Sequence, residues 1–325
     1  RNREVAAQIA RTWQAEGFDH VVIAARGTSD NAARYAQYVW GARNRLSVGL
    51  AAPSLFSVYD SPPSFGNSVI VGISQSGESP DVVAVLAEAN RQHRPTLAVT
   101  NEASSPLAEE ADRVILLHAG REESIAATKT YTAELASVAL LSAAMRDERE
   151  ADRAISALPL HVELMLDQSD GIAEMARTHS LLDQCSVIGR GFNLATAFEW
   201  ALKLQELAYV LAQPFSAADF LHGPVAMVEP GFPILAVAAS GPPHGDVHAL
   251  LQELVERNAE LVVISDVEAT LALTPSAISL PRRVPEWISP IPAIVGAQLF
   301  AYHLTMAKGL DAEQPRGLAK VTRTL

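Results

Sequence analysis

The sequence is poor in the features that mark exported, nucleic-acid-binding or membrane-spanning proteins. Its single cysteine, Cys185, excludes a disulfide within the chain and suits a reducing, cytoplasmic compartment. Its 25 Lys and Arg residues are outnumbered by 37 Asp and Glu, and no dense basic run occurs, so we expect neither nucleic acid nor anionic membrane as a partner. The apolar runs, such as 137–145, stop far short of the roughly 20 residues of a membrane span. Any anionic ligand must therefore be bound locally.

Two further absences concern the start of the chain and metal ions. The sequence begins with Arg1 rather than Met, so we expect upstream residues to be missing. Its first stretch, "RNREVAAQIARTW", has the pattern of an amphipathic helix rather than of a signal peptide. No spacing of His, Cys, Asp or Glu matches a zinc or calcium site, and we predict no metal and no organic cofactor.

What the sequence does contain is an internal repeat without gaps. A shift of 164 residues (190 − 26) places Arg26-Gly27 on Arg190-Gly191, and the same shift places Ser76-Gly77 on Ser240-Gly241. Short β-branched runs alternate with helical patterns in both copies: "HVVIAARG", "SVIVGIS", "PTLAVTN" and "ADRVILL", then "CSVIGRG", "FPILAVAA", "LVVISD" and "SAISL". Such apolar runs indicate parallel strands covered on both faces. The predicted fold class is α/β, with two tandem doubly wound, flavodoxin-like parallel-sheet domains of three αβα layers.

The connection between the copies predicts the domain boundary. It contains a long helical pattern, "TKTYTAELASVALLSAAMRDERE", and a charge cluster at 147–152. We therefore assign residues 1–150 to a first domain that includes the amino-terminal helix, and residues 151–325 to a second domain that includes the carboxyl-terminal tail. Each half is long enough to bury a core of its own.

Two polar loops follow strands of the first copy: "RGTSDN" at 26–31 and "SQSGES" at 74–79, called here the two hydroxyl loops. Ligands of open parallel sheets bind beyond the carboxyl ends of the strands, where these loops lie. Ser and Gly are ordinary turn residues, and a turn would be enough to explain one such loop. Two such loops on the same edge of the sheet favour an anion site. The second copy has Phe192-Asn193 and Pro242-Pro243 where hydroxyls would be needed, so only the first copy is suited to phosphate.

The second hydroxyl loop also predicts a helix start. Ser79 suits the N-cap, Pro80 the first helical position, and Asp81 the helix dipole. The free N–H groups of that helix, joined by the hydroxyls of Ser74 and Ser76, would bind an anion without a lysine. A phosphate fits that description.

The second copy offers different chemistry in "NLATAFEWALKLQELAYVLAQPF". Glu199, Lys203 and Glu206 are spaced to lie on one helical face. A solvated face with a weak Glu–Lys pair would explain that spacing, but the surrounding residues are apolar nearly all round and indicate a largely buried helix. Buried carboxylates are costly, which favours a functional role.

Two isolated residues complete the candidates. His222 lies in "FLHGPVAM", in a Gly-Pro turn where an imidazole can reach substrate. Lys320 lies in "QPRGLAKVTRTL", five residues from the end of the chain. Loop histidines are usually surface residues and tails usually fray, so neither residue supports an assignment by itself.

Taken together, five ordered motifs resemble the sugar isomerase (SIS) family. They are "ARGTSDNAARY", "ISQSGESPD", "ESIAATKTYTAEL", "ALKLQELAYVLAQPFSAADFLHGP" and "KGLDAEQPRGLAKVT", and they cover nearly the whole chain. The resemblance is to the tandem-domain enzymes of that family, which include the isomerase half of glucosamine-6-phosphate synthase and the glucosamine-6-phosphate deaminases.

The resemblance implies roles for individual residues. Glu206 corresponds to the carboxylate that moves a proton between sugar C1 and C2, Lys203 to a lysine beside it, and His222 to the ring-opening histidine. Lys320 corresponds to a lysine that can form a Schiff base with the open-chain ketose. In the family the histidine reaches the site of the neighbouring subunit, which implies a homodimer with shared active sites. The positions that hold the sugar phosphate correspond to Gly27, Thr28, Ser29, Ser74, Gln75, Ser76, Ser79, Ala127 and Ala319.

Departures from the synthase pattern favour the deaminases. Arg26 stands where synthases usually have Cys, Ala127 where they have Ser, and Leu221 where a lysine often precedes the histidine. The synthase's glutaminase domain also has no counterpart in this sequence. We therefore expect an aminosugar-6-phosphate deaminase that converts glucosamine 6-phosphate to fructose 6-phosphate and ammonia.

Three alternatives stay open. One is another 6-phosphosugar aldose-ketose isomerase or deglycase, and a second is the isomerase half of a glutamine-fructose-6-phosphate aminotransferase. The third, from a different class, is a non-catalytic sugar-phosphate sensor, although retention of Glu206, His222 and Lys320 argues against it. The C2 substituent and the C4 configuration of the sugar are not specified by these residues.

Overall fold

Two five-stranded parallel sheets form the framework of the protein in a computed structural model, which describes residues 2–146 and 148–320. The chain divides into two compact units. The first comprises Arg1–Ile155 together with the end of the chain from Leu318, and the second comprises Ser156–Gly317. Asp147, the first residue of the predicted charge cluster, lies outside the described residues.

The first unit alternates strands and helices along the chain. Its strands are β1 (His20–Ala24), β2 (Ser47–Leu50), β3 (Ser68–Ile73), β4 (Thr96–Thr100) and β5 (Arg113–Leu116). Its helices are α1 (Arg3–Glu16), α2 (Thr28–Asn44), α3 (Ser54–Ser57), α4 (Pro80–Arg91), α5 (Pro106–Glu109) and α6 (Lys129–Arg146). The next helix, α7 (Arg149–Leu166), spans the division between the two units.

The second unit repeats that alternation. Its strands are β6 (Gln184–Gly189), β7 (Leu211–Ser216), β8 (Pro233–Val237), β9 (Glu260–Ser265) and β10 (Ala277–Ser279). Its helices are α8 (Ser169–Thr178), α9 (Leu194–Ala208), α10 (Ala217–Leu221), α11 (His244–Glu256), α12 (Glu268–Leu271) and α13 (Pro290–Ala307).

The two sheets have the same topology. The strand order is β2-β1-β3-β4-β5 in the first unit and β7-β6-β8-β9-β10 in the second, and every pair of neighbours is parallel. The predicted α/β class, parallel sheets and internal repeat are therefore confirmed. In the first sheet the chain leaves β1 towards β2 and leaves β3 towards β4, in opposite directions. The crevice between the carboxyl ends of β1 and β3 is the switch point at which such sheets bind ligands.

One helix in each unit shows why the repeat folds this way. Apolar residues at i, i+3, i+4 and i+7 form one stripe along α4 and the same stripe along α11, and each stripe is buried against its sheet. The residues of the two stripes are Val82, Val85, Leu86 and Ala89, and Val247, Leu250, Leu251 and Leu254. None of the described helices is both long and apolar enough to cross a membrane.

Two strands were not predicted from the sequence, β2 and β7. Both are edge strands that pair on one side only, with β1 and β6 respectively. Apart from the buried Ala212, their residues are at most partly covered. Strand β7 also contains Pro214, which only an edge strand tolerates because proline donates no ladder hydrogen bond. Neither strand therefore carries the continuous apolar pattern that identifies the central strands.

Candidate functional site

The first hydroxyl loop leads directly into a helix at the switch point. Gly27 precedes α2, which begins at Thr28, and has a φ of 53°. This left-handed conformation favours glycine. Apart from the two residues next to Gly27 in the chain, no described residue has an atom within 4 Å of the position that a Cβ on Gly27 would occupy. The space above Gly27 is therefore open, and the amino-terminal turn of α2 borders it.

The second hydroxyl loop is shaped by its own serines. The Ser74 hydroxyl accepts a hydrogen bond from the Gly77 amide at 3.1 Å, and the Ser76 hydroxyl accepts one from the Glu78 amide at 3.2 Å. Because each hydroxyl acts here as an acceptor, its own proton is left as a donor for a ligand oxygen. Gly77 has a φ of 65°, and a Cβ there would lie 2.1 Å from the Ser105 hydroxyl oxygen. No other residue fits at that position without a shift of Ser105.

The helix start predicted after this loop is confirmed. Ser79 occupies the N-cap position of α4 and Pro80 its first position. In the described part of the chain, the Ser79 side chain makes no capping hydrogen bond. Ser79 and Gln75 are both half-buried, and the Gln75 carbonyl accepts the Asn101 amide at 3.1 Å.

Ser29 differs from the other predicted hydroxyls. It is buried, and its hydroxyl donates to a carboxylate oxygen of Glu134 on α6 at 2.8 Å. A hydroxyl has one proton, so Ser29 cannot donate to a phosphate while it makes this bond. Glu134 is itself fully buried, which indicates that the bond fastens α2 to α6.

An ion pair that the sequence did not predict joins the first hydroxyl loop to the first turn of α4. The Arg26 Nε lies 2.6 Å from Oδ2 of Asp81, and a terminal guanidinium nitrogen contacts the same oxygen. The Asp81 side chain is 1% exposed and that of Arg26 is 49% exposed. Asp81 therefore neutralises an arginine in addition to lying in the first turn of α4.

The end of the chain meets the segment that precedes α6. The Lys320 ammonium donates to the carbonyl oxygen of Ser124, and both residues belong to the first unit. The same segment contains Ala127, which is half-buried, whereas Ala319 is exposed. Glu122 shapes this segment, because its carboxylate accepts the Thr130 amide at 3.0 Å and so satisfies a free N–H at the start of α6. The structure thus brings Lys320 close to the loop of Ala127.

In the second unit, α9 carries three charged residues that are linked by two ion pairs. The Lys203 Nζ lies 2.5 Å from Oε2 of Glu206 and 3.3 Å from Oε1 of Glu199. Glu199 and Lys203 are 0% and 1% exposed, whereas Glu206 is 24% exposed. The predicted buried helix and its charged face are confirmed, and of the two carboxylates Glu206 is the one that solvent can reach.

The electrostatics of this group, which we call the α9 triad, keep the lysine charged. Burial opposes the charged form of Lys203, but the Glu199 and Glu206 carboxylates outweigh it, and the pKa of Lys203 is raised above its usual range. One fixed positive charge then lies between two carboxylates. Such an arrangement holds Glu206 in one position and compensates for burial of Glu199.

His222 lies just after α10, at its C-cap, and is exposed. Its backbone N–H donates to the Asp219 carbonyl at 3.1 Å, which orders the turn and leaves the imidazole on the surface. Over residues 2–146 and 148–320, no three His, Cys, Asp or Glu side chains come together as ligands for a metal ion.

The second sheet lacks the open space that lies above Gly27 in the first. Cβ atoms built on Gly191 and Gly241 would lie 3.0 Å from Pro243 Cγ and 2.6 Å from Glu286 Cδ, respectively. Glu286 therefore reaches across both loops that correspond to the hydroxyl loops. Burial raises the pKa of its carboxyl to about 7. Sequence reasoning missed Glu286, because nothing in its neighbourhood along the chain connects it with those glycines.

Comparisons with known proteins agree with this architecture. The sequence profile of the SIS domain matches twice, at residues 18–144 and 183–307. The chain is 33% identical over 304 residues to the isomerizing glutamine–fructose-6-phosphate aminotransferase of Methanothermobacter thermautotrophicus, covering 93% of this chain and 51% of that protein. It is 34% identical over 313 residues to the same enzyme of Gloeobacter violaceus, again covering 93% and 51%. The chain thus spans about half the length of the curated relatives it matches.

Solved structures extend the comparison. A protein of Silicibacter pomeroyi, provisionally assigned as a phosphosugar isomerase, is 30% identical with a TM-score of 0.84, covering 96% of this chain and 93% of that one. The glucosamine-6-phosphate deaminase of Thermotoga maritima has the same fold, with a TM-score of 0.77 at 19% identity and complete coverage of both chains.

Proposed function

The chain belongs to the SIS domain family, and we propose that it is an aminosugar-6-phosphate deaminase that converts glucosamine 6-phosphate to fructose 6-phosphate and ammonia. The observation that carries this proposal is the α9 triad. A carboxylate on a rigid helix, partly open to solvent and held by a buried lysine, is suited to repeated proton transfer at one place.

The reaction assigns one task to each predicted catalytic residue. His222 would move the proton that opens the pyranose ring, because an imidazole exchanges protons near neutral pH. Glu206 would then take the proton from C2 of the open-chain aldehyde and return one to C1, which leaves an imine at C2. Addition of water to C2 expels ammonia and forms the ketone of fructose 6-phosphate, so one water is consumed for each ammonia released. Lys320 would bind the open-chain sugar, and its amine is the residue type that forms a Schiff base with a ketose.

The first unit would hold the phosphate. Two helix amino termini border its crevice, and the protons of the Ser74 and Ser76 hydroxyls remain as donors. Thr28 and Ser79 lie at the same two helix starts. The loops around the phosphate would be shaped by Gly27, Gln75, Ala127 and Ala319. Ser29 would fasten α2.

The decisive experiment is an assay of ammonia and fructose 6-phosphate after incubation of the purified protein with glucosamine 6-phosphate. We expect both products in equal amounts, and a loss of about 10²–10⁴-fold in Glu206→Gln, because general acid–base groups contribute on that scale. Glu253→Gln, in an exposed ion pair of α11, is the matched control and should retain activity. Absence of ammonia from both glucosamine and galactosamine 6-phosphate would contradict the proposal.

A second candidate is favoured by the sequence relatives. Because the curated relatives are isomerizing aminotransferases, the chain could instead act as their isomerase half does, on fructose 6-phosphate itself. Formation of glucose 6-phosphate from fructose 6-phosphate, with no ammonia from glucosamine 6-phosphate, would support this candidate over the deaminase. Binding of both sugar phosphates without any turnover would support a sensor.

We also propose that the protein is a homodimer in which His222 acts on the substrate of the partner subunit. The exposed imidazole supports this, since it lies on the surface of its own unit. Inactive Glu206→Gln and His222→Ala subunits, mixed after mild dissociation, should regain up to about a quarter of wild-type activity, because mixed dimers hold one intact site. No recovery in a mixture shown to contain mixed dimers would contradict shared sites.

A further inference from the structure

Arg26 is placed at the switch point of the first sheet but has no role in the function proposed above. It follows β1, precedes Gly27, and pairs with Asp81 in the first turn of α4. The pair therefore connects the first hydroxyl loop with the start of the helix that follows the second. We propose that Arg26 is a further ligand-binding residue of this crevice, where it contacts anionic oxygens of a sugar phosphate, and that Asp81 is its positioning residue.

The geometry of the pair leaves part of the guanidinium available. Nε and one terminal nitrogen both contact Oδ2 of Asp81. A guanidinium carries five N–H donors in a fixed plane, so the other terminal nitrogen is directed away from the carboxylate. Half of the Arg26 side chain is exposed, and Arg26 immediately precedes Gly27, above which the space is open. A planar donor at a phosphate site is the arrangement that arginine provides and lysine does not.

The burial of Asp81 supports a positioning role. Its side chain is 1% exposed, and its Oδ1 has no hydrogen-bond partner among the described residues. Such a carboxylate is costly to bury, and its contact with Arg26 is what compensates the charge. An arginine held by a fixed carboxylate loses little further freedom on binding a ligand, whereas an unrestrained one would have to be ordered first.

The repeat supplies an internal contrast. Arg190, which corresponds to Arg26, pairs with Asp246 at 2.8 Å, but Asp246 is 61% exposed. Pro243 and Glu286 fill the space beside Gly191, so no crevice is open there. The second pair is an ordinary surface ion pair, which contributes little. The Arg26 pair, with its buried carboxylate, thus lies beside the open space above Gly27, whereas the exposed Arg190 pair lies beside the filled space at Gly191.

The test is the binding of fructose 6-phosphate and of inorganic phosphate to the full chain, measured by calorimetry. We expect Arg26→Gln to weaken binding of both by about tenfold or more, the scale of a charge-assisted hydrogen bond. Arg26→Lys keeps the charge but loses the planar fork, so a smaller loss of about threefold to tenfold is expected. The matched control Arg190→Gln should bind as the wild type does.

The role of Asp81 is tested by combining variants. Asp81→Asn should also weaken binding, and the double variant Arg26→Gln with Asp81→Asn should bind no more weakly than Arg26→Gln alone, because Asp81 acts through Arg26. Additive losses would contradict the positioning role. Thermal unfolding identifies variants that fail to fold. If Arg26→Gln is one of them, the affinity of Arg26→Lys tests the role of Arg26 instead.

Wild-type affinity in Arg26→Lys and Arg26→Gln, or an equal loss in Arg190→Gln, would overturn the proposal. It rests on the proposed function only in requiring that a sugar phosphate binds. If the wild type binds fructose 6-phosphate through Arg26 but releases no ammonia from aminosugar phosphates, the deaminase proposal fails and this one stands. If the wild type binds neither probe, this proposal fails as well.

Discussion

At the carboxyl edge of the first sheet the space above Gly27 is open and the loops are rich in hydroxyls, whereas side chains fill the space beside the corresponding Gly191 of the second sheet. The two edges share strand order, positive-φ glycines and an Arg–Asp pair, so the backbone does not account for the difference. Glu286 and Pro243 account for it, since they reach the glycines of the second edge. The second unit, in turn, contains the buried α9 triad, which the first unit lacks at the corresponding helix. A duplicated fold can thus specialise by changing side chains over an unchanged backbone.

The largest effect should come from breaking the α9 triad. Lys203→Met removes the buried ammonium that lies between the Glu199 and Glu206 carboxylates, so we expect a loss of about 3–5 kcal/mol in the free energy of unfolding. The matched control is Arg257→Gln, which removes an exposed i,i+4 pair with Glu253 and should cost about 0–1 kcal/mol. Urea denaturation measures both, and hydrogen exchange should show the loss of protection in α9. Equal losses of unfolding free energy in the two variants would contradict the prediction that the buried pair contributes more than the exposed one.

The open and filled edges can be compared directly with Gly27→Ala and Gly191→Ala. Both glycines have a positive φ, 53° and 60°, so a side chain at either position is strained. Only Gly191→Ala also brings a methyl group to within 3.0 Å of Pro243. Overpacking of this kind costs about a further 1–3 kcal/mol, so Gly191→Ala should lower the thermal midpoint more. An equal or smaller loss in Gly191→Ala would contradict the close contact with Pro243.

Glu286 should make stability depend on pH. Its pKa is about 7 in the folded protein and near 4.5 when unfolded, so the folded state binds more protons between these values. The free energy of unfolding therefore falls as pH rises from about 4.5 to 7, by about 1 kcal/mol for a half-exposed group. Glu286→Gln should remove this dependence and be more stable than the wild type at pH 8. Parallel stability curves for the two proteins between pH 4.5 and 8 would contradict the assignment.

The smallest effect should separate Ser76 from Ser240, which correspond in the repeat. Ser76→Ala should raise the KM for the sugar phosphate about threefold to tenfold with little change in kcat or stability, since one hydrogen bond contributes about 1 kcal/mol. Ser240 instead donates to Asp266 at 2.5 Å, so Ser240→Ala should reduce stability by about 1–2 kcal/mol and leave KM unchanged. An unchanged KM in Ser76→Ala would count against the hydroxyl loops as the phosphate site.

The sequence predicts those parts of the structure that depend on local pattern. Continuous apolar runs identified the central strands, and the apolar surroundings of Glu199 and Lys203 indicated a buried helix. The fixed shift between Arg26-Gly27 and Arg190-Gly191 indicated that the topology is repeated. In each case the physical signal, a periodicity or a spacing, lies within a short stretch of chain or in its exact recurrence.

The features that were missed depend on contacts between distant residues. Arg26 and Asp81 meet only because β1 and β3 are neighbours in the sheet, although other elements separate them in the chain. Glu286 reaches Gly241 from a short turn before α13. The Ser29–Glu134 bond is equally remote in sequence, and without it Ser29 looks like any other loop hydroxyl. No local pattern encodes such pairs.

The anchoring of the chain end has a kinetic consequence for Lys320. The Arg316 amide donates to the Tyr209 hydroxyl at 2.8 Å, and its guanidinium lies 4.0 Å from the centre of that ring, so the chain is fixed there. Lys320 follows four residues later and can extend only about 14 Å from this point. A tether of this length raises the effective concentration of an amine well above that of a lysine on a frayed tail. The Schiff-base chemistry that we propose for Lys320 would benefit from this short tether.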